Sequence, residues 1–366
     1  MILWLTTWYP DEDAPGRAPF VKHHFDAVRE AGVDAQLLFV DVRYAPRLLK
    51  MSWQEMREGE YRLRVESMFW KFIYHMPALM APWIRKAWMR QVGILPASVH
   101  AHVVFPAGVL AHKLASHWNI SYGITEHWSK SSAFLRKPWL GRLAQRAYQR
   151  ARFVAPVSEH LAESLRQNVP SLDQIQVVPN VITVAGRKEA LMPAKCQTVN
   201  VMGVASLIEA NSHIKRVDVL LRALALLKQR HPNVEWRYRH FGGGAREVAL
   251  KSLADALGVS VQWEGSQPPE TVRQAYLEAD LMLHLTTSET FGMVVYEAML
   301  SGIPVLTSDI DAFQLMVPSD CRVSIDADEV ADRIESFWHQ PARRGDLQPE
   351  QFSAATVGEQ IRKLYS

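Results

Sequence analysis

Apolar runs of strand length alternate with stretches whose apolar positions recur every three or four residues, and the alternation persists along the whole chain. Residues 2–7, 35–40, 98–104, 120–125 and 152–157 read as strands. Between them, 20–31 reads as a helix closed by Gly32, another helix follows Pro106, and Ser158 caps a third with Leu161 and Leu165 four apart. A turn at Pro179-Asn180 ends this series. A second series has strands at 199–205, 234–241, 259–263, 281–285 and 304–307, and a helix with a continuous apolar face over 217–229. Strands separated by helices predict an α/β fold with parallel sheets.

The chain has 366 residues, 48% apolar and 22% charged, which excludes a disordered or fibrous protein and is long for one core. Two similar halves joined near 181–193 are expected, with domains at 1–185 and 186–345. Open parallel sheets bind ligands at the carboxyl ends of their strands, so a cleft between the halves is the expected site. Cys196 and Cys321 are the only cysteines and lack ligand-like neighbours, which fits a reducing, cytoplasmic compartment better than a disulfide framework or a zinc site. The opening run lacks a basic leader and reads as a strand, and no uncharged apolar stretch has the ~18 residues of a spanning helix.

Charge is uneven. Residues 1–185 carry +7 and the remainder −4. Between Ser67 and Ser158 the only acid is Glu126, against twelve Lys and Arg. Among the first of these lie Met68, Phe69, Trp70, Phe72, Tyr74, Met76, Trp83, Trp88 and Met89. Cations beside amphipathic rings suit an anionic membrane surface, and a helix pair packing its rings into a core is the plainer alternative. No nucleic-acid-binding module accompanies the charge, so nucleic acid is not expected as a partner.

The densest chemistry is Ser288-Glu289-Thr290-Phe291-Gly292-Met293-Val294-Val295-Tyr296-Glu297, followed by Ser301-Gly302-Ile303-Pro304-Val305. Glu289 ends a loop after an apolar strand, and Glu297 falls in the next helix. Backbone N–H groups at that helix start can receive a phosphate, and Gly292 lets a ligand approach closely. A carboxylate further along the helix can accept ribose hydroxyls, and Glu289 can accept those of a sugar.

This block resembles the E-x7-E signature of the retaining, nucleotide-sugar-dependent glycosyltransferases of family 4, which have the GT-B fold. The resemblance extends through Trp8-Tyr9-Pro10, Phe20-Val21-Lys22, His100-Ala101-His102, Thr125-Glu126-His127-Trp128, Val178-Pro179-Asn180 and Lys215-Arg216-Val217-Asp218. It implies two Rossmann-like domains facing a central cleft, with a tail helix over 346–366 returning to the first domain. It also implies a nucleotide-diphosphate sugar, UDP- or GDP-linked, as donor substrate, with no cofactor and no metal. Lys215 would neutralise the departing diphosphate, Glu297 bind the ribose, Glu289 the transferred sugar, and His127 stand beside the reacting sugar. The backbone of Thr290, Phe291, Gly292, Met293 and Val294 would face the diphosphate. Gly242-Gly243-Gly244 resembles the nucleotide-side loop, and reads equally as a simple strand-to-helix turn. Gly16, Arg17 and His102 would line the acceptor side.

There are departures from the family pattern. Ser206 occupies a position where relatives often carry Arg, with Arg216 as possible compensation. The loop at Gly16-Arg17-Ala18-Pro19 lacks the paired glycines of many relatives. His100 and His102 are expected on opposite faces of their strand, with His100 in the core. His23-His24 reads as surface or packing, lacking a carboxylate or third histidine at ligand spacing, and Asp309-Ile310-Asp311 reads as a loop despite its likeness to a metal-binding D-x-D. A glycan acceptor, lipid-linked and used in surface polysaccharide assembly at the inner membrane face, is the leading expectation. A small-molecule glycosyltransferase, an epimerase and a silent sugar-nucleotide binder are the alternatives.

Overall fold

The computed structural model describes residues 1–12, 16–189, 195–211, 213–340 and 347–366. The chain divides into two compact units, Met1–Val181 with Glu350–Ser366, and Ile182–Pro349. The expected joint at 345/346 and the end of the expected linker, 190–193, lie outside the described residues.

The first unit is built on a seven-stranded sheet. Its strands are β1 (Ile2–Thr6), β2 (Ala35–Tyr44), β3 (Lys50–Arg57), β4 (Glu60–Ser67), β5 (Ser98–His102), β6 (Ser121–Glu126) and β7 (Val154–Pro156), in the order β3-β4-β2-β1-β5-β6-β7. All pairs are parallel except the β3–β4 hairpin. Both faces of β1 are buried, which is why its run reads as continuously apolar. Leu3 and Leu5 join Leu38 and Val40 on one face, and Trp4 joins Leu37 and Phe39 on the other.

The hairpin was not expected, and β2 runs four residues beyond its expected end. Asp41 supplies the reason for the longer strand. Its buried carboxylate pairs with Arg43 Nε at 2.8 Å and Arg64 Nε at 3.1 Å, and Arg43 also holds Asp11 at 2.9 Å. Paired charges let a polar stretch stay in the sheet beyond the apolar run. The aromatic segment that follows forms the helices Trp70–His75 and Ala81–Gln91.

The tail helix Ala354–Lys363 lies on the helix Pro19–Glu30 of the same unit. Val357, Ile361 and Leu364 enter the cluster around Trp4, Val21, Phe25 and Val28. Contact is so close at Gly358 that an added Cβ would stand 2.2 Å from the Ala27 carbonyl oxygen. Beyond the helix, the Tyr365 hydroxyl meets His100 Nδ1 at 2.5 Å, and Arg152 donates to the Ser366 carbonyl.

The second unit carries a six-stranded, wholly parallel sheet. Its strands are β8 (Thr198–Val204), β9 (Glu235–Phe241), β10 (Val261–Gly265), β11 (Leu281–His284), β12 (Val305–Ser308) and β13 (Arg322–Val323), in the order β10-β9-β8-β11-β12-β13. Its core packs Val201, Met282 and Leu306 from the sheet against Leu221 and Leu224 of the helix Val217–Arg230 and Ile334 of the helix Ala327–His339. The first helix follows β8, and Lys215 and Arg216 lie at its start.

Gly358→Ala should force the two helices of the first unit apart. A cost of ~1–3 kcal/mol is expected, as for overpacked sites generally. A lowered urea midpoint checks this, and an unchanged midpoint would contradict the close contact.

Candidate active site

In the second unit, the loop after β11 is fastened to the start of the helix Val217–Arg230. Arg216 N–H donates to the Leu285 carbonyl and Thr287 N–H to the Ile214 carbonyl, both at 2.9 Å, and Lys215 bridges Thr286. These bonds bring Lys215 Nζ to 2.6 Å from Glu289 Oε2 and 3.2 Å from His284 Nε2. His284 is buried at the end of β11. Burial and the Lys215 ammonium lower its pKa, against the raising contact with Glu289, whose Oε2 lies 3.5 Å from Nε2. Burial alone would raise Glu289, but the contact with His284 and the Lys215 charge outweigh it and hold the carboxyl well below its usual range. Glu289 Oε1 also accepts the Thr290 N–H at 3.2 Å.

Gly292 precedes the helix Met293–Leu300 with φ +79, in the left-handed region, and an added Cβ would stand 2.7 Å from the Phe313 ring. Only glycine turns the chain there without strain. The turn directs the first-turn N–H groups, which a helix cannot satisfy internally, out of the helix start next to Glu289. Phe291 is buried and stacked on Tyr296 at 4.4 Å. One turn into the helix, Glu297 accepts from the Tyr276 hydroxyl at 3.1 Å. Burial raises Glu297 to about 7, against the lowering effects of Tyr276 and Arg273.

Ser206 is exposed, in the loop after β8, and the glycine run after β9 packs against that loop. An added Cβ on Gly242 would stand 2.0 Å from the Ala205 carbonyl oxygen and 3.3 Å from Ser206 N, and Gly243 accepts the Leu207 N–H at 3.0 Å. The glycines therefore let two strand-end loops touch. Arg216 is engaged otherwise: its guanidinium forks onto Asp218 at 3.0 and 2.9 Å, so its charge is committed within its own helix start. Asp309 follows β12 and pairs with Arg322 at 2.5 Å, and Asp311 opens the short helix Asp311–Gln314, so only Asp309 and Ile310 are loop as expected.

In the first unit, His127 follows β6. Its neighbour Glu126 is fully buried and fixes the backbone around it, accepting from the N–H groups of Val104, His127 and Trp128 at 2.8, 2.9 and 2.8 Å and from the Tyr148 hydroxyl at 2.5 Å. His127 Nε2 lies 3.0 Å from His102 Nδ1, and Phe20 stacks on the His127 ring at 4.4 Å. His102 stacks on His100 at 4.9 Å. The two rings share one face of β5, contrary to the expected opposition, because residues two apart on a strand point the same way. His100 is in the core, bonded to Tyr365 and Thr125.

His24 is also buried, with Nε2 2.9 Å from the Pro179 carbonyl oxygen, and it does have companions. Nitrogens of His24, His102 and His127 lie within 4.8 Å of one another, the one such metal-capable group among the described residues. Spacing along the chain hid this, since three separate elements supply the rings. No carboxylate joins them, and two of the three already bond to each other. Burial leads the effects that hold His102 and His127 well below the ordinary imidazole range, so both rings are neutral at physiological pH. Gly16 and Arg17 are exposed before the helix Pro19–Glu30, and 13–15 of their loop lie outside the described residues.

Two participants, His284 and Tyr276, are not visible in the sequence. His284 reads as one polar residue closing an apolar strand, and nothing in the spacing shows that it meets Lys215. Tyr276 gives no signal. Glu126 was visible as the lone acid of a long basic span, which is what a buried, fully bonded carboxylate looks like in sequence.

Two family descriptions match the chain: Glycosyltransferase Family 4 over residues 23–185, and Glycosyl transferases group 1 over residues 205–351. The chain belongs to glycosyltransferase family 4, of GT-B type. Among curated relatives of this family member, a D-inositol 3-phosphate glycosyltransferase of Nocardia farcinica is 40% identical over 111 residues, 28% of this chain and 25% of that protein. The chain spans half or less of the length of the curated relatives it matches. Sucrose-phosphate synthase from Thermosynechococcus elongatus shares the fold with a TM-score of 0.73 at 18% identity, covering 100% of this chain and 98% of that one. Anabaena HepE, solved with UDP and glucose, has a TM-score of 0.73 at 16% identity with the same coverage. Among the described residues no helix is long and apolar enough to cross a membrane.

The ribose role expected of Glu297 predicts pH-dependent nucleotide binding. The Glu297 pKa is raised above the ordinary carboxyl value, so its contribution to stability is complete below about 4.5 and is lost as pH rises through about 7. A ligand that donates hydroxyls to the carboxylate reverses that preference. Nucleoside diphosphate affinity should therefore rise between pH 6 and 8, and Glu297→Gln should flatten the slope in calorimetric titrations. An unchanged slope would contradict that role.

Proposed function

We propose that the protein is a retaining glycosyltransferase that takes a sugar from a nucleotide-diphosphate sugar. The carrying observation is the Lys215–Glu289 contact beside the start of the helix Met293–Leu300. Charge on the leaving diphosphate grows in the transition state, and a cation already in position lowers the barrier without reorganising. Lys215 fills this role with the Gly292–Val294 backbone, and Glu297 takes the ribose hydroxyls. Glu289, kept ionised by its neighbours, accepts sugar hydroxyls and orients the anomeric carbon. His127, neutral and braced by His102 and Phe20, bonds a sugar hydroxyl without competing for phosphate. Ser206 adds an uncharged phosphate contact. The transfer needs no metal in this scheme, because Lys215 and the helix start supply the positive charge.

Two acceptor readings have support. The names of relatives and structural neighbours, with inositol phosphate, sucrose phosphate and trehalose phosphate among them, favour the hydroxyl of a small phosphorylated polyol or sugar. The basic, aromatic face of the first unit favours a lipid-linked glycan used at an anionic membrane surface. Gly16 and Arg17 belong to the acceptor side in either reading, whereas His102 is buried and acts through His127 instead of lining that side.

A thermal-shift panel of nucleoside diphosphates and their sugars should give a raised melting point for one base, because a ligand of the native state stabilises it. With that donor, diphosphate release should fall ~100-fold or more in Lys215→Ala and in Glu289→Ala, the usual scale for losing a transition-state charge partner. Proton NMR of an α-linked donor's product should show an α linkage. Inversion, or release indifferent to both substitutions, would overturn the reading.

A further inference from the structure

The first unit carries an apolar groove of about 510 Å³ that none of the chemistry above uses. It lies between the turn leading into β3, the end of β4 and the helices Trp70–His75 and Ala81–Gln91. Its walls expose large side chains that a folded protein normally covers: Leu48 is 73% exposed, Phe69 57%, Phe72 59%, Leu79 57% and Trp83 52%. Its volume falls in the range of small-molecule sites, ~300–1,000 Å³.

Charge decides the occupant. On the helix Ala81–Gln91, Ile84 and Trp88 are buried, while Trp83, Lys86 and Arg90 follow one another at helical spacing on the exposed side, beside Arg85 and Met89. Lys71 lies over the Trp70 ring at 5.8 Å. No acid occurs from 67 to 125, and Glu66, at the β4 edge of the groove, is paired with Arg47 at 3.6 Å. A second copy docked groove to groove would bring the same cations together, and an acidic headgroup would neutralise them.

We infer that this groove takes a hydrocarbon chain of an anionic bilayer lipid, with Lys71, Arg85, Lys86 and Arg90 meeting the headgroup layer. The inference extends the lipid-linked reading of the acceptor and is independent of the donor site. Rings and aliphatic side chains enter the interface while the cations stay at headgroup level. Each cation adds an attraction that salt screens.

The test uses the full chain in flotation with phosphatidylcholine vesicles, with and without phosphatidylglycerol. Dodecyl phosphate below its micelle concentration, compared with inorganic phosphate in calorimetry, is the single-chain probe. Binding is expected to the phosphatidylglycerol vesicles and to dodecyl phosphate but not to inorganic phosphate. Phe72→Asp with Leu79→Asp should weaken both at least tenfold, and Lys86→Glu with Arg90→Glu should weaken vesicle binding and its salt dependence. All four positions are exposed, and an unchanged nucleoside diphosphate thermal shift reports an intact fold; if no diphosphate shifts the wild type, the unchanged melting point itself serves. Vesicle binding indifferent to Phe72→Asp with Leu79→Asp would mean adsorption by charge alone and overturn the groove. So would dodecyl phosphate binding no better than inorganic phosphate, or a dimer in sedimentation that this pair of substitutions dissolves. Lipid binding without nucleotide binding would sink the donor reading and leave the groove standing.

Discussion

Lys215 is held by Glu289 at 2.6 Å and by His284 at 3.2 Å. A long, flexible cation is ordinarily costly to immobilise, since its rotamer entropy must be lost on binding. Here the fold meets that cost once, through the backbone bonds that fasten the loop after β11 to the start of the helix Val217–Arg230. Burial lowers His284 and would raise Glu289, yet the contact with His284 and the Lys215 charge keep the carboxylate ionised. That balance sets the charge a phosphate would meet at the helix start.

Similar logic applies in the first unit. His127 is placed by what surrounds it: Glu126 holds the backbone on both sides, and His102 and Phe20 hold the ring. Tyr365 and His100 link this region to the tail helix, whose close packing at Gly358 keeps the final residues in the core. Removing the tail would therefore disturb the histidine stack as well as a surface helix.

Legibility followed the physics of each feature. Strands such as β1 and β11, buried on both faces, leave nearly unbroken apolar runs, so the α/β class was visible. The β3–β4 hairpin was not, because β3 is an edge strand whose outward residues are polar and exposed, and its turn uses Glu58-Gly59 instead of a strong hairpin pair. The longer β2 depends on Asp41, Arg43 and Arg64 neutralising one another, a tertiary fact that periodicity does not carry. In the candidate site, local residues were legible because the run from Glu289 through the first turn of the helix Met293–Leu300 is contiguous in sequence. His24 with His102 and His127, and His284 with Lys215, are brought together only by topology. The opposed placement of His100 and His102 was an error of strand period and not a subtlety of this fold.

The most direct test is a crystal structure of the protein with UDP or GDP, whichever binds. The account predicts the diphosphate within hydrogen-bond reach of Lys215 Nζ and the Gly292–Val294 N–H groups, with the ribose hydroxyls on Glu297. A diphosphate bound elsewhere, with the Lys215–Glu289 contact undisturbed and solvent at the helix start, would contradict it.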